Sequence, residues 1–349
     1  MVIYSGIIAI VFFIISIFGI KKDTNHDEFM SLSQTSAIKG LLALEVFLCH
    51  IYAYYPSGIM MKTFNAIAYI PVALFFMFTG YGLVFNVEKK KDKYIKGFLK
   101  KRFLKLYIPL WISLIFTFII KLFINKEVDC SLNTILADVL GLNAIWFLKV
   151  IIIYYFVFWL IWSFVPDKYR LMAMCIFVIA QCLFCFFINT YKSYYTSSFG
   201  FVIGMFLAID NNGFAFTAKV NSYIQKNKVK MLILISVALA ITMLGYFLLH
   251  DNRLFGELLL RNIVGIVIVL LFCLINYNIS FGNKISKLLG TISYEIFLIH
   301  PAVIVSVKTC FGAIPSDWLQ ILLILFITII GSIITHYLSK KINSLLIKE

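Results

Sequence analysis

Runs of about twenty apolar residues recur from one end of this chain to the other, separated by short polar stretches. That is the length an α-helix needs to cross roughly 30 Å of hydrocarbon. The pattern predicts eleven spans, at residues 2–20, 36–55, 66–86, 106–124, 144–164, 171–189, 197–210, 231–250, 257–277, 288–310 and 317–338. The seventh is short and interrupted by Gly200 and Gly204. The longest polar stretches are Lys21–Ser36, Glu88–Lys105 and Asn211–Lys230, and none is long enough to fold as a soluble domain. No internal repeat is visible. Residues 1–349 therefore read as one all-α domain, a polytopic transmembrane bundle of ten or eleven spans. The first run, MVIYSGIIAIVFFIISIFGI, lacks a basic leader and a small-residue cleavage site, so it reads as a retained helix.

Composition sharpens this picture. The 349 residues are 62% hydrophobic and 13% charged, well above the roughly half-apolar content of soluble domains. The net charge of +15 would suggest nucleic acid in a soluble protein. In a membrane protein it marks cytoplasmic loops instead. With the loop EKKKDKYIKGFLKKRFLK placed inside, alternating spans collect most of the 31 Lys and Arg on that side. This orientation puts the N-terminus outside and the C-terminus in the cytoplasm. The seven cysteines follow no metal or disulfide spacing, and Cys182 and Cys185 read as one face of an apolar helix. No metal site is predicted. Walker, GxSxG and GxGxxG motifs are absent, which argues against an ATP-driven pump and a soluble-type hydrolase.

Ionisable residues inside a membrane are costly and tend to face a cavity or a partner. In IKGLLALEVFLCHIYAYY, Lys39 and His50 are eleven residues apart. That separates them by about 16 Å along a helix and returns them to within about 20° of one face. Together they read as the wall of a cleft with a cation at its cytoplasmic mouth. Glu45 lies five residues before His50 and slightly off that face. A plainer reading, a snorkelling lysine and a structural histidine, stays open. LLGTISYEIFLIHPAVI repeats the carboxylate-then-histidine spacing with Glu295 and His300, at the same expected depth. A histidine bridging helices, helped by a break at Pro301, would also account for His300. In KKRFLKLYIP, Lys101, Arg102 and Lys105 form a basic patch at the membrane surface, suited to phosphate or to anionic lipid. Trp146 and Lys149 lie near an outer helix end, where an aromatic belt is the default. Glu257 and Arg261 stand one α-helical turn apart and could pair. His26 and His336 receive no role.

Five segments resemble the acyltransferase-3 family of integral membrane O-acyltransferases. They are KGLLALEVFLCH (Lys39–His50), FFMFTGYGL with Phe75–Gly80, KRFLKLYIP (Lys101–Pro109), WFL (Trp146–Leu148) and GTISYEIFLIH (Gly290–His300), in the family order. Two positions depart from the family, Lys39 and Lys105, where arginine is usual. Lysine keeps the charge but loses the bidentate fork.

The resemblance implies an acyl donor on the cytoplasmic side, normally acetyl-CoA, with no permanently bound cofactor. It also implies a saccharide acceptor on the outer side of a bacterial cell membrane. On that reading Lys39, Lys101, Arg102 and Lys105 bind the donor's phosphates. His50 takes a proton from a hydroxyl or receives the acyl group. Glu45, Tyr294, Glu295 and His300 orient it or line the cleft, and Trp146 contacts substrate. Expected partners are membrane lipids, acetyl-CoA and the saccharide, with self-association into a homo-oligomer left open and no nucleic acid. The alternatives are a transporter or flippase of a lipid-linked saccharide, and succinyl rather than acetyl transfer.

Overall fold

The structure is a computed structural model and describes residues 11–12, 14–22, 29–55, 64–123, 131–143, 145–210, 226–310 and 317–347. Among the described residues, twelve α-helices of eight residues or more carry the fold: α1 (Leu32–Tyr54), α2 (Tyr69–Lys90), α3 (Phe98–Phe123), α4 (Leu132–Val139), α5 (Trp146–Phe164), α6 (Asp167–Phe187), α7 (Phe199–Asp210), α8 (Lys228–Leu249), α9 (Arg261–Asn276), α10 (Lys284–Thr291), α11 (Ser293–Cys310) and α12 (Asp317–Leu346). The only strands among the described residues are β1 (Lys21–Lys22) and β2 (Ile279–Ser280), paired antiparallel. The fold is the expected all-α polytopic bundle.

Among the described residues, eight helices are long and apolar enough to cross a membrane, and α10 with α11 makes a ninth span bent by 74°. The predicted span 2–20 lies largely outside the described residues. The predicted seventh span corresponds to α7, whose 12 residues rise only about 18 Å, too short to cross. Its glycines explain its course. A Cβ on Gly200 would lie 2.2 Å from the Ala73 carbonyl oxygen, and one on Gly204 would lie 2.0 Å from that of Met77. Gly80 of α2 meets Phe201 of α7 in the same way, at 2.1 Å. The spacing that looked like an interruption is a small-xxx-small face that brings two helix backbones into contact.

The same device joins α1 to α10. A Cβ on Gly40 would lie 2.1 Å from the Ser286 carbonyl oxygen, and one on Gly290 would lie 1.7 Å from that of Ser36. The bend between α10 and α11 falls at Ile292, not at Pro301. Pro301 sits inside the continuous helix α11, where the neighbouring helices hold it in line.

Two further expectations change. Residues 253–260 form a π-helical turn before α9, which spoils the i, i+4 alignment between Glu257 and Arg261. Glu257 instead accepts from the Tyr195 hydroxyl at 3.0 Å and lies 3.7 Å from Lys192 Nζ. Arg261 turns to Tyr246 on α8. His336, which the sequence left without a role, lies 2.9 Å from Glu295 Oε1. Cys182 and Cys185 are buried core residues, and no cluster of metal-ligating side chains occurs among the described residues.

Candidate active site

Helices α1, α2, α5 and α11 enclose two cavities that meet in the middle of the bundle. One, of about 210 Å³, is lined by Lys39, Phe75, Thr79, Leu106, Tyr155 and Tyr294, among others. The second, of about 520 Å³, contains His50, Asn65, Trp146, Lys192, Ser197 and Arg261 in its wall. Val46, Val72 and Phe297 line both, so these three side chains form the partition. Lys39 and His50 thus share a face of α1, as their spacing predicted, but open into adjoining chambers.

Each of the five segments contributes to these walls. Phe75 and Thr79 are one turn apart on α2 and face the Lys39 chamber, while Gly80 on the other side packs against α7. Trp146 enters the His50 chamber and Phe147 the Lys39 chamber. Tyr294 lines the Lys39 chamber and donates to the Leu106 carbonyl at 3.0 Å, tying α11 to α3.

The chemistry centres on a histidine pair. His50 Nδ1 lies 2.5 Å from His300 Nε2, and the two rings meet edge to edge, their centroids 4.8 Å apart and their planes inclined by 22°. His300 is fully buried, and its Nδ1 lies 2.7 Å from the Ile296 carbonyl oxygen. A carbonyl only accepts, so His300 Nδ1 carries a proton and its Nε2 offers a lone pair. His50 must then donate through Nδ1, which leaves His50 Nε2 with an unshared pair in a ring that lines the cavity. Two consecutive hydrogen bonds therefore fix the tautomer that a general base requires.

The other candidates divide. Glu45 is buried on α1, and neither carboxylate oxygen has a hydrogen-bond partner among the described residues. It therefore does not orient the imidazole by a hydrogen bond. Glu295 faces α12 and His336 and is not in the wall of either chamber. Lys101 and Lys105 are exposed on α3. Arg102 turns inward instead, into a cage formed by Tyr94, Phe98 and Tyr155, with its guanidinium carbon 5.2–5.9 Å from the ring centroids. It also donates to the Tyr94 hydroxyl. Tyr155, one wall of that cage, also lines the Lys39 chamber. Lys39 Nζ also lies over the Phe78 ring at 5.5 Å. The sequence reading missed Arg261 and the 191–197 segment as parts of the site. A cation in an apolar run was the available signal for Arg261.

The bundle thus holds a histidine pair of fixed tautomer, one ring of which lines the larger of two adjoining chambers. The chain matches the acyltransferase-3 family, described as an acyltransferase domain, over residues 35–337, and belongs to that family. It is a membrane acyltransferase. Comparison with curated proteins and with solved structures finds no match.

His300 lines neither chamber, so a part in the chemistry would run through its hydrogen bond to His50. His300→Leu should lower kcat by about 10²-fold with little change in KM, the signature of an interaction needed only in the transition state. His300→Gln keeps an acceptor for His50 Nδ1–H and should recover part of the loss. Steady-state kinetics of the two variants check this, and equal losses in both would contradict it.

Proposed function

We propose that the protein transfers an acetyl group from cytoplasmic acetyl-CoA to a hydroxyl of a cell-surface saccharide. The observation that carries the reading is the partition between the chambers. A thioester held on the Lys39 side and a hydroxyl held on the His50 side meet at Val46, Val72 and Phe297. His50 Nε2 takes the hydroxyl proton as the oxygen attacks the acyl carbonyl. Collapse of the tetrahedral adduct expels the CoA thiolate, which takes that proton back from Nε2. The products are the ester and the free thiol.

The charges support the placement of the donor. Lys39 gives the smaller chamber a cation, Arg102 lies behind the Tyr155 ring of its wall, and the exposed Lys101 and Lys105 extend the positive surface along α3. Phosphates prefer such a surface. Charge asymmetry supports a cytoplasmic position for this end and for the C-terminus, and the family resemblance supports a bacterial cell membrane. The β1–β2 pair supports the alternation, since it joins Lys21 and Ser280, two positions the charge pattern assigns to one side.

Purified protein in lipid nanodiscs, given labelled acetyl-CoA and a saccharide, should release free thiol in step with ester formation. Succinyl-CoA in a parallel reaction separates the two donors. Failure of both thioesters to yield labelled saccharide would refute the reading. Lys39→Gln should raise KM for acetyl-CoA by about tenfold or more, the cost of a lost charge-assisted contact. It should leave kcat nearly unchanged, and Lys39→Arg should restore binding. A KM unaltered in Lys39→Gln would remove this residue from the donor site.

A further inference from the structure

The acceptor chamber carries a charge that nothing around it neutralises. Among the described residues its wall holds His50, Lys192 and Arg261 and no carboxylate. Lys192 has Glu257 at 3.7 Å. Arg261 has no acidic partner within ion-pair distance among the described residues. It is held rigidly all the same. Nε and Nη2 both bond the Tyr246 hydroxyl, at 3.0 and 2.6 Å. The guanidinium also lies over the rings of Tyr69 and Tyr246, at 5.4 and 5.3 Å. These contacts use two of its five N–H donors; the ring faces stabilise the cation in part but supply no counter-ion. A cation fixed in a largely apolar bundle without a counter-ion is expensive unless a ligand supplies the anion.

The surroundings suit a sugar. Trp146 stands in the same wall, its indole held edge-on by Phe147 and Tyr194 at 5.9 and 6.2 Å. Asn65, Ser193 and Thr196 add polar groups to the lining. The rim opens at Tyr191, which is 64% exposed. It is anchored from below, because Asn262 donates to the Tyr195 carbonyl at 2.8 Å and Ser197 donates to that of Tyr69 at 2.7 Å. This is a preformed chamber with an aromatic platform, hydrogen-bonding groups and one anchored guanidinium.

We propose that Arg261 binds an anionic group on the acceptor, so that the preferred acceptor is a sugar bearing a carboxylate or a phosphate rather than a neutral one. The proposal rests on the assignment of this chamber to the acceptor. Arg261 presents its remaining donors to the anion while Trp146 packs against the ring face, which presents a hydroxyl of the same sugar to His50 in the shared cavity. Carboxylate and phosphate share the fork geometry that arginine matches, so separate probes distinguish them.

The test reads binding and not turnover, so it stays informative even if acyl transfer from acetyl-CoA is not observed. The full-length His50→Ala protein in nanodiscs is titrated with methyl glucuronide, glucose 1-phosphate and methyl glucoside. At least one anionic probe should bind about tenfold or more tightly than the neutral one, and its affinity should fall with added salt. Adding Arg261→Gln should erase the preference, while adding Arg261→Lys should retain part of it. Tyr246→Phe frees the guanidinium without removing it and should weaken the preference in a protein that still folds. Equal binding of the three probes, undetectable binding of all three, or a preference that survives Arg261→Gln would overturn the proposal.

Discussion

Replacing His50 by alanine should lower acyl transfer by about 10²- to 10⁴-fold, the range over which a positioned base acts. The protein should stay folded and bind acyl-CoA as before. The reason lies in the order of the two hydrogen bonds. Ile296 fixes the proton on His300 Nδ1, and His300 fixes the proton on His50 Nδ1. Only His50 Nε2 is left with a free pair in a ring that lines the acceptor chamber. His300 Nε2 lies a full imidazole ring further from the chamber, behind His50, so it does not reach a hydroxyl seated against His50 Nε2. Donor binding should not suffer, because Lys39 and Tyr294 line the other chamber. Turnover of His50→Ala within tenfold of the unaltered enzyme, with matched expression, would remove the imidazole from the chemistry.

Much of this site was legible in the sequence, and the parts that were not share a cause. Helical periodicity placed Lys39 and His50 on one face, and they do line adjoining cavities. Equal distance from the cytoplasmic end placed His50 and His300 at one depth, and their rings meet in a hydrogen bond. What periodicity does not give is the azimuth of one helix relative to another. Glu295 shares α11 with His300 yet points to α12, and its partner His336 comes from a helix whose packing no local pattern reveals. Arg102 looked like part of a surface patch with Lys101 and Lys105. Its i+1 position turns it by about 100°, into an aromatic cage completed by Tyr155 of α5. Arg261 looked paired because the spacing assumed 3.6 residues per turn, and a π-helical turn replaced that spacing. The glycines of α7 were read as breaks because a sequence shows where a side chain is missing and not what fills the space.

That last point sets the sign of another large effect. Replacing glycine by alanine in the middle of a helix ordinarily stabilises it by about 0.5–1 kcal/mol, through backbone entropy. At Gly290 the sign should reverse. The new methyl would lie 1.7 Å from the Ser36 carbonyl oxygen and 2.7 Å from the Ser36 hydroxyl, and a carbonyl oxygen within α1 cannot rotate away. α1 and α10 must separate, at a cost above the ~1–3 kcal/mol of ordinary overpacking. The consequence reaches the chemistry, because α1 carries Lys39 and His50 while α10 leads directly into α11 and His300. Gly82 on α2 provides the control, since a Cβ there meets nothing within 4 Å. Gly82→Ala should melt at or above the temperature of the unaltered protein. Gly290→Ala should lose most of its monodisperse peak in size-exclusion chromatography, and what remains should melt lower and be inactive. If the two variants behaved alike, close contact between the α1 and α10 backbones would not be what holds the two histidines together.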